Sequence, residues 1–298
     1  MDIRQLEYLA ALAEERHFTR AANRCNVTQP TLSGRIRQLE EQLGVPIVQR
    51  GHRYHGLTRE GEHVLRWARV IIDNRTALMQ ELSGLKGGLA GRLTLGVIPS
   101  ALPMVSSVTT AVRDKHPGIT FTVCSQASQD LLRDIGEFRI DAGITYLDNE
   151  PLGHSDELVT EPLYVESYRL FIPSDHPWAG RESVSWHDAS SLPLILLTPD
   201  MQNRRIVDGA FLHANSLPIS EIETNSVITL WSHVRFRGWA SVMPAYFEGL
   251  FGADSGVVGL PLVEPEVEQQ VGLVTLQRDP IPPLIEALRE ACHHRLEW

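Results

Sequence analysis

Between Arg20 and Arg59 the chain places seven arginines and no lysine against two acids, Glu40 and Glu41. Each arginine presents a planar fork of donors that fits phosphate oxygens and the guanine edge. Interleaved with them are Thr28, Gln29, Thr31, Ser33, Arg35, Arg37 and Gln38, side chains that can pair with base edges or hold backbone phosphates. The chemistry of that set is recognition of a nucleic acid rather than bond making. Motifs that make or break bonds are missing: the sequence contains no GxSxG, GxxxxGK, GxGxxG or HExxH, and Ser174-Asp175-His176 is too local to arrange a nucleophilic triad. The expectation is a protein that is not an enzyme and needs no cofactor.

The elements that must position these residues are legible in the hydrophobic spacing. Leu6, Leu9, Ala10 and Ala13 recur at helical intervals from Arg4 to about Arg16. A short helix follows through Ala21, Ala22 and Cys25, with Thr19 as its expected cap, and Asn26-Val27-Thr28 makes a polar turn. A third helix begins at Gln29-Pro30 and carries Leu32, Ile36, Leu39 and Leu43 in steps of four, three and four residues, ending at Gly44 and Pro46. Its opposite face is Pro30, Gly34, Arg37, Gln38 and Glu41, flanked by Thr31, Ser33 and Arg35, and suits a DNA major groove. Ile47 to Thr58 reads as two extended runs around a Gly-His turn, a basic hairpin able to lie along phosphates. A solvated bundle whose arginines only maintain solubility accounts for any one arginine. Helix, turn, polar-faced helix and basic hairpin in that order point instead to a winged helix-turn-helix.

Phe18-Thr19-Arg20-Ala21-Ala22, Val27-Thr28-Gln29-Pro30-Thr31-Leu32-Ser33, Ile36-Arg37-Gln38-Leu39-Glu40, Leu43-Gly44 and Leu57-Thr58-Arg59-Glu60-Gly61 together resemble the LysR-type transcriptional regulators. The resemblance implies double-stranded promoter DNA as partner and contacts from Gln29, Pro30, Thr31 and Ser33, with Arg50 and Arg53 from the wing; the polar face and start of the same helix add Thr28, Arg35 and Arg37 to the expected DNA-binding residues. Gly34 departs from the family, which often has arginine after that serine; it permits closer backbone approach at a cost in helix propensity.

From Thr58 onward Val64, Ala68, Ile71, Arg75, Leu78, Leu82 and Leu85 keep alternating steps of four and three until Gly84-Gly87-Gly88-Gly91 breaks the helix. The expectation is a homodimerising linker, with a helix packed on its own domain as the alternative. Arg75 on this seam either sets register or turns outward.

Residues 91 to 298 alternate strands with helices, as a parallel α/β arrangement requires. Strands are expected at Gly91–Ile98, Ile119–Ser125, Ile140–Thr145, Tyr168–Pro173, Leu194–Leu197, Ile222–Val227 and Gln270–Gln277, with helices between and the last strand and helix returning to the first unit. Two such units form a cleft. The fold class is therefore α/β with an all-α winged helix-turn-helix head, and the resemblance implies two Rossmann-like subdomains similar to periplasmic binding proteins. The expected divisions are 1–58 for the head, 59–90 for the linker and 91–298 for the effector domain, split into 91–163 with 268–298 and 164–267. Ser100 with Ala101, Ser128, Thr145 and Thr198, with Pro199 and Gln202, lie after strands or at helix starts, where a ligand would be held; capping alone explains each serine and threonine singly. Arg204 or Arg205 would assist an anionic effector such as a small carboxylate, unless the two are a plain surface pair. Trp239 stands where the family usually has a small residue in a Gly-x-Gly turn, so it would reshape the cleft.

Charge divides the chain. Residues 1 to 90 hold 13 Lys+Arg and 10 Asp+Glu, or +3, leaving 14 against 27, or −13, for the remainder of a chain whose net charge is −10. An acidic effector domain would be repelled from DNA and leave contact to the head. Cys25, Cys124 and Cys292 are too scattered for a disulfide framework or a CxxC motif, so thiol sensing is not expected. No apolar run approaches the ~20 residues of a membrane span, and the expectation is a cytoplasmic homotetramer with RNA polymerase as a further partner. The competing reading is a small-molecule binding module or enzyme whose helical head merely docks a partner.

Overall fold

The computed structural model describes residues 1–49, 54–148, 157–251 and 255–293. The chain divides into two compact units, one of Met1–Ala90 with the segments Gly136–Arg139 and Pro282–Leu284, and one of the remaining residues.

The first unit opens with α1 (Ile3–Glu15), started by a reciprocal capping box in which Gln5 N donates to Asp2 at 2.9 Å and Asp2 N donates to the Gln5 side chain at 2.8 Å. Helix α2 (Phe18–Arg24) is capped by His17, whose Nδ1 accepts from Thr19 N at 3.2 Å. Thr19 itself is the second residue of the helix, so the expected Thr19 cap shifts two positions earlier. Helix α3 (Gln29–Leu43) starts under the Thr28 side chain and ends at Gly44, whose φ of 69° is the left-handed conformation that glycine adopts without a Cβ penalty. Leu32, Ile36 and Leu39 are buried, and Leu43 at the end of the stripe is left exposed. Tyr8, Leu12, Ala21, Ala22, Leu32 and Ile36 form one core; Leu6, Leu9, Leu39, Ile47, Leu57, Leu65 and Ala68 form a second.

The wing's stem is closed by Gln49 N to Gly56 O at 3.1 Å and Thr58 N to Ile47 O at 2.9 Å. Glu40 on α3 ties it down, its Oε1 accepting from Ile47 N at 2.7 Å and Val48 N at 3.0 Å. Helix α4 (Arg59–Gly87) begins under Thr58, which accepts from Gly61 N at 2.9 Å. A Cβ at Gly61 would collide with the Ile47 carbonyl, so glycine lets this helix start directly against the wing. The apolar seam of α4 splits in two. Ala68 is buried, and Val64 and Ile71 pack beside it on the head, whereas Leu78, Leu82 and Leu85 are 54%, 45% and 80% exposed. Arg75 lies at the split and pairs with Glu7 of α1 at 3.2 Å.

In the second unit the strands are β1 (Ala90–Val97), β2 (Gly118–Ser125), β3 (Ala142–Tyr146), β4 (Leu158–Pro173), β5 (Val184–Ser185), β6 (Leu194–Leu197), β7 (Ser220–Thr224), β8 (Ser241–Pro244), β9 (Val257–Val263) and β10 (Glu268–Leu276). The helices are α5 (Val105–Lys115), preceded by a 3-10 turn over Pro99–Met104, then α6 (Ser128–Gly136), α7 (Trp186–Ala189), α8 (Gln202–His213), α9 (Val227–Arg237), α10 (Phe247–Phe251) and α11 (Pro283–His293). The main sheet runs β2-β1-β3-β10-β4-β9-β5, with β8 also on β4; β6 and β7 form a separate parallel pair. β1 and β3 are parallel, while β10 runs antiparallel to both β3 and β4.

Strand β4 is ten residues longer at its start than the expected Tyr168–Pro173. Pro162 and the acids Glu161 and Glu166 obscure it, because proline removes a ladder donor and acids are depleted from strands. The sheet absorbs Pro162 at a register shift between Val271 and Gly272 of β10. Its early half thus belongs to the lobe built on β1, β2, β3 and β10, and its later half to the lobe built on β8 and β9. The second lobe's core is Tyr168, Leu170, Ile172, Trp186, Phe211 and their neighbours.

Candidate nucleic-acid interface and effector cleft

Helix α3 has one buried face and one open face, as its apolar stripe demands. Gln29, Pro30, Thr31, Gly34, Arg35, Arg37 and Gln38 are exposed, and Ser33 is half-buried. Thr28 is spent partly on structure: its Oγ1 accepts from Thr31 N at 3.4 Å and sits 2.8 Å from Thr31 Oγ1. Arg35 donates to Gln38 Oε1 at 3.2 Å along the same surface and lies 3.8 Å from Asp2. Arg50 and Arg53 lie outside the described residues. Arg20 and Arg24 carry less free charge than the tally of that stretch implies, because α1 brings Glu14 and Glu15 beside them: Arg24 is 2.5 Å from Glu14 and Arg20 is 3.4 Å from Glu15. On the open face of α3 Arg37 and Arg35 are exposed, and the first turn of that helix adds the positive end of its dipole.

The lobes of the second unit meet over a small cavity of about 10 Å³, room for about one water, lined by Ser100, Ser128, Tyr146, Gln202 and Asn203 with Ile98, Pro99, Ala127, Leu197 and Met201. Of the expected ligand residues, Ser100, Ser128 and Gln202 reach it. Ala101 is buried without lining it, Thr198 and Pro199 stand outside it, and Thr145 points to the other side of β3. Side chains alternate along a strand, so Tyr146, the next residue, is the one presented to the cleft. Arg204 is turned away: its guanidinium pairs with Asp208 and Glu223, each at 2.8 Å, and donates to Leu197 O at 2.7 Å. Trp239 packs with Phe171, Ile195, Leu230 and Met243 instead of reshaping the cavity.

Sequence reasoning missed the group on which the cleft is organised. Glu166 of β4 is 1% exposed, and its Oε1 accepts from Tyr146 Oη at 2.6 Å and from Tyr168 Oη at 2.8 Å. Tyr146 Oη is also 3.0 Å from Ser100 Oγ and accepts from Asn203 Nδ2 at 3.1 Å. Burial pushes the Glu166 carboxyl up to about 7, with the hydroxyls of Tyr146 and Tyr168 pulling it down less strongly. Period-2 phasing of β3 would have found Tyr146; nothing local marks Glu166, since β4 does not read as one strand.

The three thiols lie elsewhere. Cys25 and Cys124 are half-buried and Cys292 is buried; none lines the cavity. Burial pushes the Cys25 thiol up, and burial together with Glu161 pushes Cys292 to about 12. Thiolate is the reactive form, so these shifts suppress reaction with oxidants at neutral pH.

A helix-turn-helix with an open, arginine-bearing recognition face and a pair of α/β lobes around a polar cleft define a DNA-binding regulator with a small-molecule domain. Residues 3–62 match the family model for the bacterial regulatory helix-turn-helix protein, lysR family, and residues 86–297 match that for the LysR substrate binding domain. The chain is 32% identical over 298 residues to the DNA-binding transcriptional dual regulator OxyR of Escherichia coli K12, covering all of this chain and 96% of that protein. Full-length OxyR from Pseudomonas aeruginosa, carrying a cysteine-to-aspartate substitution, superposes with a TM-score of 0.79 at 26% identity over 99% of this chain and 95% of that one. The fold is shared as well with the LysR family regulator CbnR, at a TM-score of 0.68 and 18% identity over the whole of both chains. The chain belongs to the LysR family of transcriptional regulators; it binds DNA and is not an enzyme. Among the described residues no helix is long and apolar enough to cross a membrane.

Proposed function

We propose that this regulator reads promoter half-sites with α3, using Gln29, Pro30, Thr31, Ser33, Arg35 and Arg37 with Thr28 at the helix start, while Arg50 and Arg53 hold phosphates from the wing. The observation that carries this is the open polar face of α3 set opposite its buried Leu32, Ile36 and Leu39. The second half of α4 supports a dimer, since the head leaves Leu78, Leu82 and Leu85 uncovered and a heptad seam of that kind buries itself against a second copy. Pairing through both α4 and the effector domains makes a homotetramer, working in the cytoplasm and recruiting RNA polymerase where it activates.

The signal enters at the cleft. A small molecule that favours one arrangement of the two lobes shifts an equilibrium between assemblies that span DNA differently. Several curated relatives are hydrogen peroxide-inducible genes activators. No cysteine lines the cleft, and the Cys25 and Cys292 thiols are pushed up, which favours ligand binding over thiol oxidation as its input.

The test is a mobility shift of full-length protein on DNA upstream of its own gene, with nonspecific competitor and a salt series. Saturable, competitor-resistant binding that falls steeply with salt, and that weakens in Gln29→Ala and Arg53→Ala, is the expected result. A head that only docks a protein partner would show neither the specific shift nor the salt slope.

A further inference from the structure

We infer that the cleft grips its ligand by a carbonyl-type oxygen, that of an amide or a carboxylate, and that Arg205 is the positioning residue that sets this preference, by fixing the Gln202 amide with its nitrogen toward the cavity. This rests on the reading of the cleft as the effector site.

The Arg205 guanidinium carries only donors. Its Nε donates to Gln202 Oε1 at 2.6 Å and its Nη1 donates to Asp200 O at 3.2 Å, so it is anchored at two points and the Gln202 atom that faces it must be the oxygen. That leaves the two hydrogens of Gln202 Nε2 for the cavity, which this side chain lines at only 8% exposure. Ser128 gives an independent sign of an absent partner. It is 1% exposed and lines the cavity, and its Oγ has no hydrogen-bond partner among the described residues, so it opens α6 without capping it. Ala127 before α6 and Met201 before α8 line the cavity too and bear no side-chain oxygen. Two helices thus bring uncapped first turns, with their free amides and positive dipole ends, to the same place. An oxygen with two lone pairs satisfies such a set, and a space of about 10 Å³ seats one such atom. The rest of the polar lining is of the other kind. Tyr146 gives its proton to Glu166 at 2.6 Å, and Ser100 and Asn203 turn their donors to Tyr146 Oη at 3.0 and 3.1 Å, which keeps an acceptor oxygen on each. A primary amide or a small hydroxy acid presents both what Gln202 and Ser128 require and what Ser100 and Asn203 require.

The experiment titrates full-length protein with acetamide, glycolate and ethylammonium, at about 50 mM and constant ionic strength, by thermal shift and calorimetry. Acetamide or glycolate should raise the melting temperature of the effector unit by about 2 °C or more, and whichever does so reports whether the oxygen is taken neutral or ionised. Gln202→Glu keeps the shape and the bond to Arg205 but turns an acceptor to the cavity, so affinity for that probe should fall about tenfold while that for ethylammonium does not fall. Ser128→Ala should weaken the same probe by a similar factor and leave the unliganded protein melting within a few degrees of wild type, because the hydroxyl it removes bonds nothing. Arg205→Ala frees the Gln202 amide to turn over and should weaken the probe, whereas Arg205→Lys, which retains a donor, should restore it; a residue needed only for folding would not track the probe in this way. No shift with either acetamide or glycolate, wild-type affinity in Gln202→Glu or Ser128→Ala, or wild-type affinity in Arg205→Ala would each overturn the inference. Specific DNA binding is measured on the same samples. If it persists while these changes fail, the inference alone is lost; if they hold without specific DNA binding, the promoter-reading proposal is lost and the cleft assignment stands.

Discussion

Replacing Gly34 with alanine should make the head more stable and its DNA binding worse. Gly34 lies inside α3 with its Cα exposed, and a Cβ built there meets nothing within 4 Å, so the new methyl neither clashes nor fills a hole. What remains is propensity. Alanine in a helix interior is favoured over glycine by about 0.5–1 kcal/mol, chiefly through the entropy of the unfolded chain. In a domain of 60–100 residues each 1 kcal/mol moves the midpoint by roughly 4–8 °C, so the head's transition should rise by about 2–8 °C. On DNA the same methyl stands on the face read as groove-facing, where a backbone held at van der Waals distance must be pushed back. Overpacking of that kind costs roughly 1–3 kcal/mol, a loss of about 5- to 150-fold in affinity. Scanning calorimetry reads the first quantity and fluorescence anisotropy on promoter DNA at fixed salt reads the second. Because the two move in opposite directions, weaker binding cannot be ascribed to misfolding. A head that is stabilised yet binds DNA within twofold of wild type would refute the close approach of α3 through Gly34, and a lowered midpoint would refute the helical geometry assigned to that position.

Glu40→Ala leaves the Ile47 and Val48 amides without the carboxylate that holds the wing's stem on α3; the expected loss is about 2–4 kcal/mol, visible as a lower urea midpoint of the head. Glu166 sets a pH dependence in the effector unit. Its folded pKa of about 7 lies above the ordinary value of 4.5, so the folded state holds the proton more tightly than the unfolded one. Stability is therefore greatest below about pH 4.5 as far as this group is concerned, falls as pH rises toward 7, and by pH 8 is lower by on the order of 3 kcal/mol. In Glu166→Gln that slope should vanish from urea melts between pH 5 and 8; a slope as steep as wild type's would assign it to another group. Leu82→Asp places a charge on the uncovered part of the α4 seam and should reduce the assembly by half or more in mass by light scattering, with the head still folded. Treating the protein with hydrogen peroxide at concentrations that leave methionine intact should not change its affinity for promoter DNA, and a Cys25→Ser, Cys124→Ser, Cys292→Ser protein should respond to the cleft ligand as wild type does.

The head was legible in the sequence because its signals are local. Leu32, Ile36 and Leu39 repeat at helical spacing, Thr28 and Gly44 mark the ends of α3, and the arginines and polar residues that such a helix leaves uncovered follow from the same count. Even the position of the cap on α2 differs by only two residues, since His17 and Thr19 compete for the same free amides. The alternation of strands and helices likewise indicated two α/β lobes, and three of the cleft's polar residues, Ser100, Ser128 and Gln202, sit at strand ends or helix starts, where sequence reasoning looks first.

What the tertiary structure decided is which side chains meet. Glu14 and Glu15 pair with Arg20 and Arg24 across two helices, and Glu7 pairs with Arg75, so charge counted along the chain overstates what stands unpaired. The seam of α4 reads as continuous, yet the head covers Ala68 and leaves Leu82 open, because only packing determines where a neighbour stops. Glu166 gave no signal at all. Its role depends on Tyr146 from β3, Ser100 from the turn after β1 and Asn203 from α8, residues up to 103 positions apart that only strand pairing and lobe closure bring within hydrogen-bond reach. Helix periodicity and caps are set by neighbours a few residues away and can be read along the chain; the polarity of a buried hydrogen-bond chain is set by contacts between distant segments, and exists only once they are folded together.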